Sequence, residues 1–141
     1  MLILLVSGLA LLLLSLALGR LRHHARLERF GSELQMLAAA FESARTERGR
    51  WPETPEEAGP GVMSSGWLEG PPIGGEFAWR APTPGRAGMI AVTGFAPAPP
   101  IDLTPDDLRA IDRAIDDGDL QTGRFRTGFN GWPVYLVTEK P

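Results

Sequence analysis

MLILLVSGLALLLLSLALGRLRHHARLERFGSELQMLAAAFESARTER, residues 1–48, is the stretch on which the reading of the whole chain turns. Met1–Gly19 carries no charge, and only Ser7, Gly8 and Ser15 interrupt its aliphatic run. At about 1.5 Å of rise per residue, this segment as a helix spans roughly 28 Å, close to the hydrocarbon thickness of a bilayer. An uncharged run of that length reads as a membrane-spanning helix rather than a soluble core helix. Ala17 and Gly19 would supply the small residues of a signal cleavage site. The n-region is a bare Met1, however, and the apolar run exceeds a typical signal core, so a retained anchor is expected over a cleaved signal.

The helix is expected to continue past the membrane. Between Arg20 and Arg48 there is no proline and a single glycine, Gly31, while Ala, Leu, Glu, Arg and Gln predominate. Leu27, Phe30, Leu34, Leu37, Phe41 and Ala44 recur at alternating spacings of three and four, which puts them on one stripe. Gly49 suits the position just past a helix C-terminus, and Pro52 forbids continuation. One helix over about residues 2–48 would be on the order of 70 Å long. The stripe packs either on the domain's own sheet, the expected arrangement, or against neighbouring subunits as a heptad seam. Fewer than three heptads is too few for a coiled coil on sequence grounds.

Arg20, Arg22, His23, His24, Arg26 and Arg29 follow the apolar run, and nothing basic precedes it except the amino terminus. The positive-inside rule taken alone would leave the globular part in the cytoplasm. Alternatively, these long side chains snorkel to headgroups at a helix end, which they do on either side of a membrane.

The part beyond the anchor is large enough for one small core. A net charge of −3 and a pI near 5.4 argue against a nucleic-acid surface. The chain has no cysteine, which removes disulfides, thiolate nucleophiles and sulfur-ligated metals. The 17 glycines and 13 prolines lie mostly after Arg48, so the distal half is turn-rich with short elements. The segment 51–65, WPETPEEAGPGVMSS, reads as a loop. Strands are expected over Ile73–Arg80, Gly88–Phe95 and Pro133–Thr138, the first two as an antiparallel hairpin across APTPGRAG. Between the second and third lies a short helix with Thr104 as N-cap, Pro105 at N1, Asp106 and Asp107 at the positive dipole end, and Gly118 as its stop. Leu108, Ile111 and Ile115 give it one apolar stripe. The fold class is α+β: a long N-terminal transmembrane-to-soluble helix packed on a small antiparallel sheet, with a short helix before the last strand. The expected organisation is an anchor over residues 1–19, an amphipathic stalk helix continuous with it over 20–49, and a globular domain over 50–141.

An uncharged N-terminus running into an amphipathic helix and then a turn-rich domain with a late sheet resembles the pseudopilins of type II secretion and the type IV pilins. Gly49-Arg50-Trp51-Pro52 is similar to the GxYP or GxWP turn that ends the long helix in major-pseudopilin-like proteins. Trp67-Leu68, Pro71-Pro72-Ile73-Gly74-Gly75 and Phe77-Ala78-Trp79 are similar to the family's passage into its first strand. Ile111–Phe125 and the Tyr135-Leu136 strand resemble a branch with its own terminal pattern. The sequence departs from the family in two ways: Gly8 is followed by Leu9 rather than an aromatic residue, and no acidic residue precedes Glu28. Leader processing and glutamate-guided docking therefore do not carry over. An upstream start with a basic leader would reconcile the charge pattern with the resemblance; otherwise the chain is a divergent member.

The acidic turn Asp116-Asp117-Gly118-Asp119 is the most site-like feature. Major pseudopilins, which the chain resembles, use a late acidic loop for calcium. The alternating-Asp spacing with a distal Glu is missing, and calcium wants six to eight oxygens, so an ordinary capping turn is the favoured reading and no metal ligand is assigned. His23 and His24 are adjacent on the juxtamembrane helix, where nothing would enclose a catalytic dyad. No phosphate loop, GxSxG elbow or HExxH occurs, and no catalytic residue or cofactor is assigned. Trp51, Trp67, Trp79 and Trp132 are expected to fill the core, with any exposed one forming a partner surface. The resemblance implies a non-enzymatic structural subunit of a pseudopilus-like assembly, single-pass in the inner membrane, with its domain outside the cytoplasm. Its expected partners are the bilayer, through residues 1–19, and other pilin-like subunits; no nucleic acid or small-molecule substrate is expected. The alternative is a stand-alone membrane-tethered binding module whose sheet face recognises a partner or envelope polymer.

Overall fold

The computed structural model describes residues 2–137, with the side chains of residues 2–5 and 65 left aside. Helix α1 runs unbroken from Leu2 to Arg48. Gly49 ends it with φ 72°, the left-handed conformation that costs glycine nothing, and its N–H donates to the Arg45 carbonyl at 2.8 Å. Pro52 is buried in the turn that follows, and its carbonyl accepts the Trp79 indole N–H at 2.9 Å. The helix end is thereby tied to the sheet, while Arg45 lies over the Trp51 ring at 5.0 Å.

The expected 51–65 loop is instead partly helical. A 3₁₀ turn spans Glu56–Ala58, a single α turn, α2, spans Pro60–Val62, and a π turn spans Met63–Trp67. The prolines that suggested a loop are compatible with this because Pro60 sits at a helix start, where its missing N–H is not needed. Strands β1 (Glu76–Arg80) and β2 (Met89–Thr93) form the expected antiparallel hairpin. Both are shorter than expected. At the entrance to β1, Gly74 and Gly75 hold φ of 86° and 78°, outside strand geometry. Helix α3 covers Pro105–Ile115 with the expected Thr104 N-cap, and Asp107 completes a reciprocal capping box.

The chain then forms a strand that the residue pattern did not announce, β3 (Phe125–Thr127), before β4 (Pro133–Leu136). Thr138 of the expected last strand lies outside the described residues. The four-stranded sheet has the order β1-β2-β4-β3, so β4 inserts between β2 and the edge strand β3, antiparallel to both. Register aligns Trp79 with Ile90, Ile90 with Tyr135, and Tyr135 with Phe125, one row across all four strands. Paired residues share a face, and this face meets α1.

All six stripe residues of α1 are buried in the domain: Leu27, Phe30, Leu34, Leu37, Phe41 and Ala44. Phe41 stacks on Trp79 with centroids 3.9 Å apart, and Trp67 stacks on Phe77 at 5.4 Å. The stripe thus packs on the domain's own sheet and helical turns, and the heptad-seam reading is corrected because no side chain of the seam remains for a neighbouring helix. Helix α3 crosses α1 closely at Gly31, where an added Cβ would stand 3.0 Å from the Ile115 Cγ2. Trp51, Trp67 and Trp79 pack against the core as expected. Trp132 does not join them; it meets the exposed Phe95 edge-on at 4.7 Å.

Candidate functional site

Nothing in the domain covers the described side chains of α1 from Val6 to Arg22. Between residues 6 and 26 no side chain is buried, and the large aliphatics from Val6 to Leu21 are 44–68 % exposed. The first buried side chain is Leu27. Residues 6–22 therefore project from the domain as a rod of roughly 25 Å. Fully burying one Leu gains about 1.5–3 kcal/mol relative to water, so the uncharged, leucine-rich surface of residues 6–18 strongly favours a cover. By length and composition this helix is able to cross a membrane.

Where the rod meets the domain, a polar network joins α1 to α3. His23 Nε2 lies 2.7 Å from Asp107 Oδ1, Arg26 Nη2 lies 3.0 Å from His23 Nδ1, and the same Nη2 donates to Asp102 Oδ2 at 2.9 Å. A guanidinium only donates, so His23 Nδ1 accepts and Nε2 carries the hydrogen that Asp107 accepts. Burial acts to raise the Asp107 pKa, but the Thr104 amide, the His23 ring and the Thr104 hydroxyl together outweigh it and the net shift is downward. The two histidines are not a catalytic pair: His24 points to Glu28 at 3.2 Å on the exposed side of α1.

The acidic turn is built differently from the sequence expectation. Asp116 Oδ2 accepts the backbone N–H of Arg124 and, at 2.7 Å, that of Phe125, which fixes the start of β3. Asp117 accepts from the Asp119 N–H at 2.9 Å and the Thr122 hydroxyl at 2.6 Å. The Thr122 hydroxyl and then the Asp119 amide hold its pKa below the ordinary range. Asp119 accepts from the Gln121 N–H at 3.0 Å. These carboxylates act as Asx-type caps of the chain between α3 and β3.

The carboxylates that converge are Asp112, Asp116 and Asp117, whose candidate ligand atoms lie within 4.8 Å of one another. Asp119, the third member of the expected cluster, is not among them. Asp112, from the last turn of α3, is wholly buried, and neither of its carboxylate oxygens makes a hydrogen bond. Burial, then the charges of Asp117, Asp116 and Asp119, push its pKa up; the facing Gly118 amide only partly offsets this. Asp112 was missed from sequence although a signal was present: it lies four after Leu108 and three before Ile115, on the buried side of α3. If a cation were held here, Asp112 would be its main ligand, since the turn's own donors already engage both Asp117 oxygens and one of Asp116.

Comparison with protein-family models, with curated proteins and with solved structures finds no match for this chain.

Proposed function

We propose that this chain is a non-catalytic structural subunit of a pseudopilus- or pilus-like secretion assembly, held in the inner membrane by residues 1–19 with its domain outside the cytoplasm. The observation that carries the reading is α1 itself. It is one helix of 47 residues, uncovered from Val6 to Arg22 and buried along one stripe in its own domain from Leu27 to Ala44. A simple tether needs no such continuity, because a flexible linker would hold a domain at a membrane equally well. A rigid rod fixes the domain's distance and angle from the membrane, which is what regular stacking of subunits requires. The Gly49–Pro52 turn bound to Trp79 and the four-stranded antiparallel sheet support the same reading. Deletion of the gene in its host tests it. Loss of secretion or of surface fibres, restored by the full chain but not by residues 20–141, is expected; unchanged assembly and secretion would sink the proposal.

A second reading, a stand-alone membrane-tethered binding module, is favoured by one feature. Phe129 is fully exposed, and Phe95, beside Trp132, is 66 % exposed. An exposed phenylalanine packed on a second ring, as Phe95 is on Trp132, is the kind of apolar surface that a partner covers. Normal secretion in the deletion strain together with a binding partner lost on Phe129→Ala would favour this module over the assembly subunit.

A further inference from the structure

The basic residues that follow the apolar run divide into two groups. Those on the domain side have partners within the protein: His23 with Asp107 at 2.7 Å, His24 with Glu28 at 3.2 Å, Arg26 with Asp102 at 2.9 Å and Arg29 with Glu33 at 2.9 Å. Arg20 and Arg22, nearest the apolar run, have no hydrogen-bond or ion-pair partner among the described residues. No described carboxylate, whether near in sequence or brought in by α3, reaches either of them, so both guanidinium groups are open to a group from outside the chain.

Arg22 also borders a space. An open pocket of about 330 Å³ is lined by Gly19, Arg22, His23 and Arg26, which the helical repeat places on one face of α1. Gly19 has no heavy atom within 4 Å of where a Cβ would stand, so a group can approach the helix backbone there. The pocket begins at the last uncharged residue of the apolar run, the depth at which headgroup phosphates meet a spanning helix. The carboxylates beside it, Asp102 and Asp107, are already paired with Arg26 and His23, and the pocket's own lining holds arginine and histidine but no carboxylate, which favours an anionic group there.

We propose that this pocket seats the headgroup of an anionic phospholipid, with the Arg22 guanidinium binding the phosphate in the open space above Gly19. The preference is for a headgroup of net negative charge over phosphatidylcholine. Arg20 points to another side of the helix and contributes only a diffuse attraction to the membrane surface.

This inference rests on the membrane-anchor reading, and the two fail in distinguishable ways. Resistance of the full chain to alkaline carbonate extraction from membranes tests the anchor. Native mass spectrometry of the full chain in neutral detergent, incubated with equal amounts of phosphatidylglycerol and phosphatidylcholine, tests the site. Preferential retention of phosphatidylglycerol is expected, and Arg22→Gln is expected to reduce it roughly fivefold, the worth of one arginine at an anionic surface. Arg20→Gln is expected to change retention far less. Equal retention of the two lipids, equal loss in both variants, or displacement of the lipid by millimolar inorganic phosphate would each overturn the proposal while leaving the anchor standing. Release of the chain by carbonate would instead remove the anchor reading and this site with it.

Discussion

Replacing Asp112 by asparagine keeps the size and shape of the side chain and removes its charge. The carboxylate is wholly buried, its oxygens make no hydrogen bond, and Asp116 and Asp117 stand close by. Its folded-state pKa therefore lies above the ordinary 3.8, chiefly through burial and then through the neighbouring carboxylates. A raised carboxyl pKa means that the folded protein binds the proton more tightly than the unfolded chain. The penalty is absent below the unfolded pKa, grows as pH rises from there to the folded pKa, and is complete above the folded pKa. Asp112→Asn leaves a polar side chain in place but removes the buried charge and its repulsion, and its NH2 group can donate to the neighbouring carboxylates; a hydrogen bond to a charged group contributes roughly 1.5–3 kcal/mol, so a gain of about 1–3 kcal/mol is expected at neutral pH. For a domain of this size that is an upward Tm shift of roughly 4–12 °C. Circular-dichroism melts of the full chain in neutral detergent with a chelator, at pH 7.5 and at pH 3.5, measure it. The variant should exceed the wild type at pH 7.5 and lose most of that advantage at pH 3.5. A variant that melts lower than the wild type at neutral pH in chelator would refute the reasoning, because the charged carboxylate would then have a favourable partner. A wild-type Tm raised by millimolar calcium would reassign the cluster as a cation site.

Two further substitutions test the frame that positions the stalk. Phe41→Ala removes a wholly buried ring stacked on Trp79. It should cost about 3–5 kcal/mol in chemical denaturation, and a loss below about 1 kcal/mol would mean that the sheet does not hold α1 as described. Thr104→Ala removes the hydroxyl that accepts the Asp107 N–H. A cost of about 1 kcal/mol is expected, with a matching fall in hydrogen-exchange protection in the first turn of α3. Unaltered protection there would remove the cap from the account.

The parts of the fold that were legible in the sequence are those whose side chains report their surroundings. Leu27 to Ala44 alternate at three and four because one face of α1 is buried, and that periodicity is recorded residue by residue. The Thr104-Pro105 start and the Gly49 stop are backbone requirements met by particular residue types. β3 left no such trace. Phe125, Arg126 and Thr127 hold only one buried side chain, and the segment is a strand because β4 pairs with it. The connecting turn is closed by the Gly128 N–H donating to the Trp132 carbonyl at 2.7 Å, a contact that no periodicity encodes. The helical turns between Pro55 and Trp67 were hidden for a similar reason, since prolines signal both loops and helix starts. At the candidate site, the acidic turn was visible as composition but its geometry was not. Which carboxylates converge depends on the direction of the last turn of α3, and that brought in Asp112 and left out Asp119. The pairing of the juxtamembrane cations with Asp102 and Asp107 joins residues more than 75 positions apart and is likewise tertiary.

If the chain is an assembly subunit, as proposed, its α1 packs against other subunits in the membrane. The chain has no cysteine, so single cysteines placed in turn at positions 9–18 report its surroundings without background. Oxidative cross-linking in native host membranes at native expression measures it directly. The account predicts cross-linked multimers whose yield rises and falls every three to four residues, marking one face of α1 against a neighbour. Monomers at every position, or a yield that shows no helical period, would contradict it.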